Sequence, residues 1–201
     1  MVIVSMNSLE QLEKYAKEKF IPIARKQTTE FMVNLIKENN YKSFFEVGTA
    51  IGYTSIIIAT TFPNVSILTI EYNLNRAELA RQNFRDFSLE NKIDFIIDDA
   101  VLFETNRMFD LIFIDAAKMR NRFFLDKFSK NLNRGGTFIV DNMKLDDLWI
   151  NANKKKKEKY DLANEEFKKY ILSLEEYEVN IYDDIGDGIA VLKKKTSGFL
   201  A

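Results

Sequence analysis

The sequence predicts an α/β fold: a seven-stranded, mostly parallel sheet with antiparallel closing strands and helices on both faces. Three observations carry the prediction. Between residues 43 and 142, short apolar runs alternate with helix-length amphipathic segments. Those runs are apolar at nearly every position rather than every second one, as expected of strands buried on both sides. After residue 176 the alternation stops, and two further runs flank the tight turn Asp183-Asp184-Ile185-Gly186-Asp187, which suits an antiparallel pair.

Each element has a local reason. Ser8 and Gln11 have capping-box spacing, and Leu9, Leu12, Tyr15, Ala16 and Phe20 trace one helical face. Pro22 breaks that helix, and a second is expected from Thr28 or Thr29 through Phe31, Leu35 and Ile36. Ser43 to Val47 reads as a strand ending at Gly48, followed by a helix from Tyr53 to Thr61. Beyond Pro63 come a strand from Ser66 to Ile70 and a helix from Asn75 to Phe87, with Asn73 as its cap. Lys92 to Ile97 is a strand, and a short irregular helix is expected after Asp99. Phe109 to Ile114 is a buried-type strand, and a helix spans Asn121 to Asn131. Gly135-Gly136 turns into the fifth strand, Thr137 to Val140. The run Lys154 to Lys157 reads as a solvated connector ahead of a helix from Ala163 to Leu174, with RNA contact as the alternative. Tyr177 to Tyr182 and Gly188 to Lys193 are the closing strands. The expected organisation is one domain over residues 1–201. Within it lie N-terminal helices (1–40), a binding core (43–142), a variable lid or helix (143–175) and closing strands (176–195).

Composition removes several chemistries. With no Cys and no His, disulfides, thiol nucleophiles, thiolate zinc sites and imidazole bases are excluded. What remains is carboxylate, amide, lysine and hydroxyl chemistry, and any metal would be a hard, oxygen-bound one. A net charge of −1 means that an anionic partner must be met by a local patch. No apolar run has the length of a membrane span, so a cytoplasmic location is expected.

In open parallel sheets, ligands bind beyond the carboxyl ends of the strands. After the first strand stands Glu46-Val47-Gly48-Thr49-Ala50-Ile51-Gly52-Tyr53-Thr54, a turn that either admits a ligand or simply joins strand to helix. Glu71, after the second strand and nineteen residues past Gly52, stands where a carboxylate can accept ribose hydroxyls. A nicotinamide site shares this spacing, but Ala50 replaces its third glycine, and Glu46 would repel a pyrophosphate. An acidic loop instead suits the ammonium and sulfonium of S-adenosylmethionine. Asp115, Asp141 and Asn142 end two strands expected to be neighbours, and offer two carboxylates and an amide oxygen. They form a half-shell for Mg²⁺, or for Ca²⁺ or Mn²⁺, unless the two aspartates are helix caps. Lys118, three residues past Asp115, is either a general base sensitised by a nearby cation or a solvated surface lysine.

These residues, in this order, resemble the class I, Mg²⁺-dependent S-adenosylmethionine O-methyltransferases of the catechol and caffeoyl-CoA type, which have a Rossmann-like fold. The resemblance runs from Ile21 to Met143 and resumes at Ile185-Gly186-Asp187-Gly188. Its motifs are Phe45 to Thr54, Thr69-Ile70-Glu71, Asp99-Ala100, Phe109 to Lys118, and Gly135-Gly136 through Asp141-Asn142. Within that family the chain looks most like the bacterial tRNA methyltransferases acting on 5-hydroxyuridine at the wobble position. The resemblance implies that Glu46, Gly48, Thr49, Gly52, Tyr53 and Thr54 hold the methionine part of the cofactor and that Glu71 binds the ribose. It likewise implies that Asp99 and Ala100 flank the adenine, Asp115 serves cofactor and metal, Asp141 and Asn142 complete the metal ligands, and Lys118 stands near the acceptor oxygen. A homodimer is also implied. Asp98 stands where relatives carry Gly, Met119-Arg120 replaces a common Gly-Gln, and Trp149 falls later than usual.

Two acceptors fit this chemistry. A catechol and a 5-hydroxyuridine both present two adjacent oxygens to a cation. A tRNA anticodon loop would also need phosphate contacts, for which Arg25, Lys26, Arg120 and Arg122 are the candidates. The alternatives are a small-molecule catechol-type methyltransferase and, from another class, a nucleoside-binding module without catalysis.

Overall fold

A computed structural model describes residues 6–116, 118–144 and 154–196, without the side chains of Lys118 and Lys156. The elements are α1 (Leu9–Glu18), α2 (Lys26–Asn39), β1 (Ser43–Val47), α3 (Tyr53–Thr61), β2 (Ser66–Glu71), α4 (Leu74–Asp86), β3 (Ile93–Ile97), β4 (Phe109–Ile114), α5 (Asn121–Phe128), β5 (Leu132–Asp141), α6 (Lys154–Leu172), β6 (Tyr177–Tyr182) and β7 (Ile189–Lys194). Three-residue 3₁₀ turns stand on either side of α5, at Lys118–Arg120 and Ser129–Asn131.

The seven strands form one sheet in the order β3-β2-β1-β4-β5-β7-β6. The first five are parallel, and β7 runs antiparallel between β5 and β6. The closing pair therefore does not simply extend the edge in chain order. The last strand inserts beside β5 and leaves β6 outermost.

Alternate side chains leave each strand on opposite faces, which explains the near-continuous apolar runs. Phe44, Phe113 and Ile139 join Leu12, Met32, Ile36, Ile56 and Phe84 from α1 to α4 in one core. Phe45, Ile112 and Phe138 join Phe124, Leu125, Phe128, Phe167 and Ile171 from α5 and α6 in the other. At about 25 cal/mol per Å² of buried apolar surface, such residues supply most of the driving force.

Local signals mostly act as expected. Ser8 Oγ accepts from Gln11 N at 3.3 Å, and Gln11 Oε1 accepts from Asn7 N at 2.8 Å. Asn73 caps α4 by accepting from Arg76 N at 3.1 Å. Three expectations need correction. Residues 99–103 form a turn, not a helix, because Asp99 ties Val101, Leu102 and Phe103 back on itself. β5 begins at Leu132 and carries Gly135-Gly136 within it. The lysine run, read as a connector, is the first turn of α6, since unbranched Lys has good helix propensity. The middle of the expected lid, 145–153, lies outside the described residues. Among the described residues, no helix is long and apolar enough to cross a membrane.

Candidate functional site

From β1 the chain builds outward through β2 and β3, and from β4 in the opposite direction through β5. The β1–β4 boundary is therefore the switch point at which such sheets open a crevice. Here two strand ends cross closely. Asp115 N donates to Val47 O at 3.0 Å, and Gly48 N to Ile70 O at 3.0 Å. A Cβ on Gly48, whose φ is +105°, would lie 2.3 Å from the Asp115 carbonyl oxygen. Only glycine lets the two backbones pass. Gly52 is likewise bound to glycine by the Phe84 ring of α4, 2.5 Å from where a Cβ would stand. Both glycines thus serve protein packing and, through it, the curvature of the loop.

Ala50 takes a left-handed φ of +48° between them and donates its N–H to Glu71 Oε2 at 2.8 Å. The other Glu71 oxygen accepts from Asn73 N at 2.9 Å. Glu71 therefore ties the turn after β1 to the start of α4. Its oxygens keep further lone pairs for a ligand.

Over this crevice lies a cavity of about 1100 Å³. It exceeds the range of roughly 300–1,000 Å³ usual for one small ligand, leaving room for two. Of the residues singled out in sequence, Gly48, Tyr53, Glu71, Asp99, Ala100, Asp115, Asn142, Arg25, Lys26 and Arg120 line it. Glu46, Thr49, Gly52, Thr54 and Asp141 are buried and lie outside its wall. Arg122 reaches the other way, over the Tyr170 ring of α6 at 4.0 Å.

Glu46 explains why several polar residues stand beneath the turn. It is 1% exposed, and its Oε2 accepts from Ser55 Oγ at 2.6 Å and Thr69 Oγ1 at 2.7 Å. Since Thr69 donates there, Thr49 donates to Thr69 at 2.6 Å. Burial pushes the Glu46 carboxyl up to about 7, against the opposing hydroxyl hydrogen bonds, and the Glu71 charge adds to the rise.

At the other end, Asn142 Nδ2 donates to Asp115 Oδ1 at 3.1 Å. The two side chains meet beyond the ends of β4 and β5, and Asp141, the last residue of β5, is buried. Turning the amide would present Oδ1 in place of Nδ2, and two carboxylates plus an amide oxygen suit a hard cation. Among the described residues no group of three or more His, Cys, Asp or Glu side chains could hold a metal. Lys118 opens the 3₁₀ turn after β4; its side chain lies outside the described set.

Sequence reasoning gave no role to two parts of the wall. The arm joining α1 to α2 contributes Phe20 through Ala24, and the β6–β7 turn contributes Asp187. Arg25 Nε donates to Asp187 Oδ1 and Oδ2 at 3.0 and 2.9 Å. The Pro22 break and the start of the resemblance at Ile21 were the available signals.

Relatives share this architecture. A Staphylococcus aureus structure described as a candidate caffeoyl-CoA O-methyltransferase superposes with a TM-score of 0.84 at 28% identity, covering 94% of this chain and 93% of that one. An O-methyltransferase from Bacillus cereus, solved with SAH, has a TM-score of 0.76 at 20% identity over 96% and 94% of the two chains, a likeness of fold. The catechol O-methyltransferase of Mycobacterium tuberculosis is 27% identical over 121 residues, 58% of this chain and 55% of the relative. The match thus spans about half the length of that relative. A family model for O-methyltransferases matches residues 4–195, nearly the whole described fold, and the chain therefore belongs to the O-methyltransferase family.

Proposed function

We propose that this protein is a divalent-cation-dependent S-adenosylmethionine O-methyltransferase that converts 5-hydroxyuridine to 5-methoxyuridine at the tRNA wobble position. The observation that carries the reading is that Glu71 and Asp99-Ala100 stand with Asp115 and Asn142 on the wall of one cavity. In this reading Glu71 accepts the ribose hydroxyls, and Asp99 and Ala100 flank the adenine. The loop from Gly48 through Tyr53 surrounds the methionine part, helped by the unpaired first N–H groups of α3. Glu46, Thr49, Gly52 and Thr54 support that loop from below.

Asp115, Asp141 and Asn142 would hold the cation, which when bound lowers the acceptor hydroxyl's pKa and orients it. Lys118, one short turn beyond Asp115, takes the acceptor proton. The cavity walls hold the ionised oxygen in line with the methyl group, so positioning supplies much of the rate. Lys17, Arg25, Lys26, Arg76 and Arg120 line the cavity beside the acids Glu13, Glu71, Asp98, Asp99, Asp115 and Asp187, and in this reading the cations are the phosphate contacts.

Incubation with labelled S-adenosylmethionine, Mg²⁺ and tRNA from a strain lacking the modification should yield 5-methoxyuridine by nucleoside mass analysis. Lys118→Ala and removal of the cation by chelation should each abolish most of the signal. Methylation of free catechol with no transfer to tRNA would replace the tRNA assignment with the small-molecule reading, which the catechol-methylating relative favours. Failure to bind S-adenosylmethionine at all would overturn both.

A further inference from the structure

The turn between β6 and β7 is packed on two sides by different parts of the cavity wall. Toward the N-terminal arm, the Asp187 carboxylate takes both of its bonds from Arg25 Nε, across 162 residues of chain. A Cβ on Gly186 would lie 2.3 Å from Thr28 Oγ1 and 3.2 Å from Arg25 Cβ, so the arm and the first turn of α2 rest directly on this turn. Toward β5, Met143 N donates to Gly188 O and Lys144 N to Asp187 O, both at 2.9 Å. A Cβ on Gly188 would lie 2.9 Å from Lys144 N. The backbone leaving Asn142 is therefore laid against the same turn. Arg25, Asp187 and Asn142 all border the cavity.

We propose that Asp187 is a positioning residue: its ion pair with Arg25 clamps the N-terminal arm onto the turn that supports the Asn142 end of β5, so that two walls of the cavity hold one spacing. The backbone bonds to Met143 and Lys144 fix the turn to β5, while the side-chain pair reaches from Asp187 to the arm and adds to the packing of Gly186 on Thr28 and Arg25. Loss of the pair leaves the sheet intact and loosens the arm. Arg25 and Asp187 side chains are 47% and 19% exposed, and an ion pair so open to water contributes little to global stability. Its consequence is local order in the wall that an acceptor meets.

The clamp is tested by amide hydrogen exchange in full-length protein, with acceptor kinetics resting on the function proposed above. Asp187→Ala and Arg25→Ala should each speed exchange over residues 19–25 by about 10-fold or more, while Tm moves by no more than about 4 °C. The charge swap Arg25→Asp with Asp187→Arg should restore slow exchange, and Asp187→Asn should fall between. In turnover, the single variants should raise the acceptor KM about 10-fold with kcat within about twofold, as expected when an interaction common to ground and transition states is lost. Unchanged exchange in both single variants, or a swap that rescues nothing, overturns the clamp. A fall in kcat with unchanged KM would assign Asp187 to the chemistry and overturn the positioning role. If wild type methylates neither tRNA nor catechol, the proposed function fails by itself, and the exchange comparison still decides the clamp.

Discussion

Replacing Glu46 by Gln exchanges a buried, titrating carboxyl for a permanently neutral amide, and pH sets the sign of the effect. Burial pushes the folded-state value up to about 7 from an ordinary value of 4.5. Between those limits the folded protein keeps a proton that the unfolded chain releases. Stability contributed by the protonated form is therefore present in full below pH 4.5 and is lost as pH rises to 7. A shift of that size corresponds to a loss on the order of 3 kcal/mol. The Gln carbonyl oxygen can accept from Ser55 and Thr69 as Oε2 does now, and the amide needs no ionisation. Glu46→Gln should thus match wild type within about 1 kcal/mol at pH 5 and exceed it by about 1–3 kcal/mol at pH 8. Urea unfolding of both proteins from pH 5 to 9 measures the difference directly. A wild-type stability that climbs from pH 5 to 7, or a Gln variant weaker than wild type at pH 8, would show that Glu46 is ionised and favourably held in the fold.

Other substitutions test the site's construction. Gly48→Ala should cost about 3 kcal/mol or more by denaturant titration, because a Cβ must displace the Asp115 backbone and the φ is left-handed. A loss below 1 kcal/mol would refute the close approach. Phe20, two residues past the end of α1, has a left-handed φ of +53° and is 93% exposed, so Phe20→Gly should stabilise by about 0.5–1 kcal/mol, seen as a rise in Tm. Glu71→Ala releases the Ala50 and Asn73 amides and removes the carboxylate proposed to hold the ribose. Calorimetry should show S-adenosylmethionine binding at least about tenfold weaker, and unchanged affinity would remove Glu71 from the cofactor site.

Much of this fold was readable locally because strands buried on both faces must be apolar throughout. The span of β4, Phe109 to Ile114, is the clearest instance. The strand-end positions follow from the same alternation, and Gly48, Glu71, Asp99, Asp115 and Asn142, which stand at or just after strand ends, share one cavity wall. The start of α6 is hidden in the sequence because four consecutive lysines show no apolar face, although their helix propensity is good. Glu46 adjoins the glycine turn, which suggests a ligand role, and the fold gives its Oε2 two hydroxyl partners, Ser55 and Thr69. Along a strand, however, neighbouring side chains point to opposite faces, and position in the motif does not say which oxygen atoms will meet a given carboxylate.

The sequence by itself determined the α/β class, the order of its elements and the set of residues carried to the strand ends, because each depends on periodicities spanning a few residues. Tertiary structure alone decided that β7 inserts beside β5, that Glu46 is held by Ser55 and Thr69 beneath the turn, and that Arg25 meets Asp187 across 162 positions. Those contacts depend on how separate elements stack and on which groups burial leaves within hydrogen-bonding reach, and no local pattern encodes that geometry.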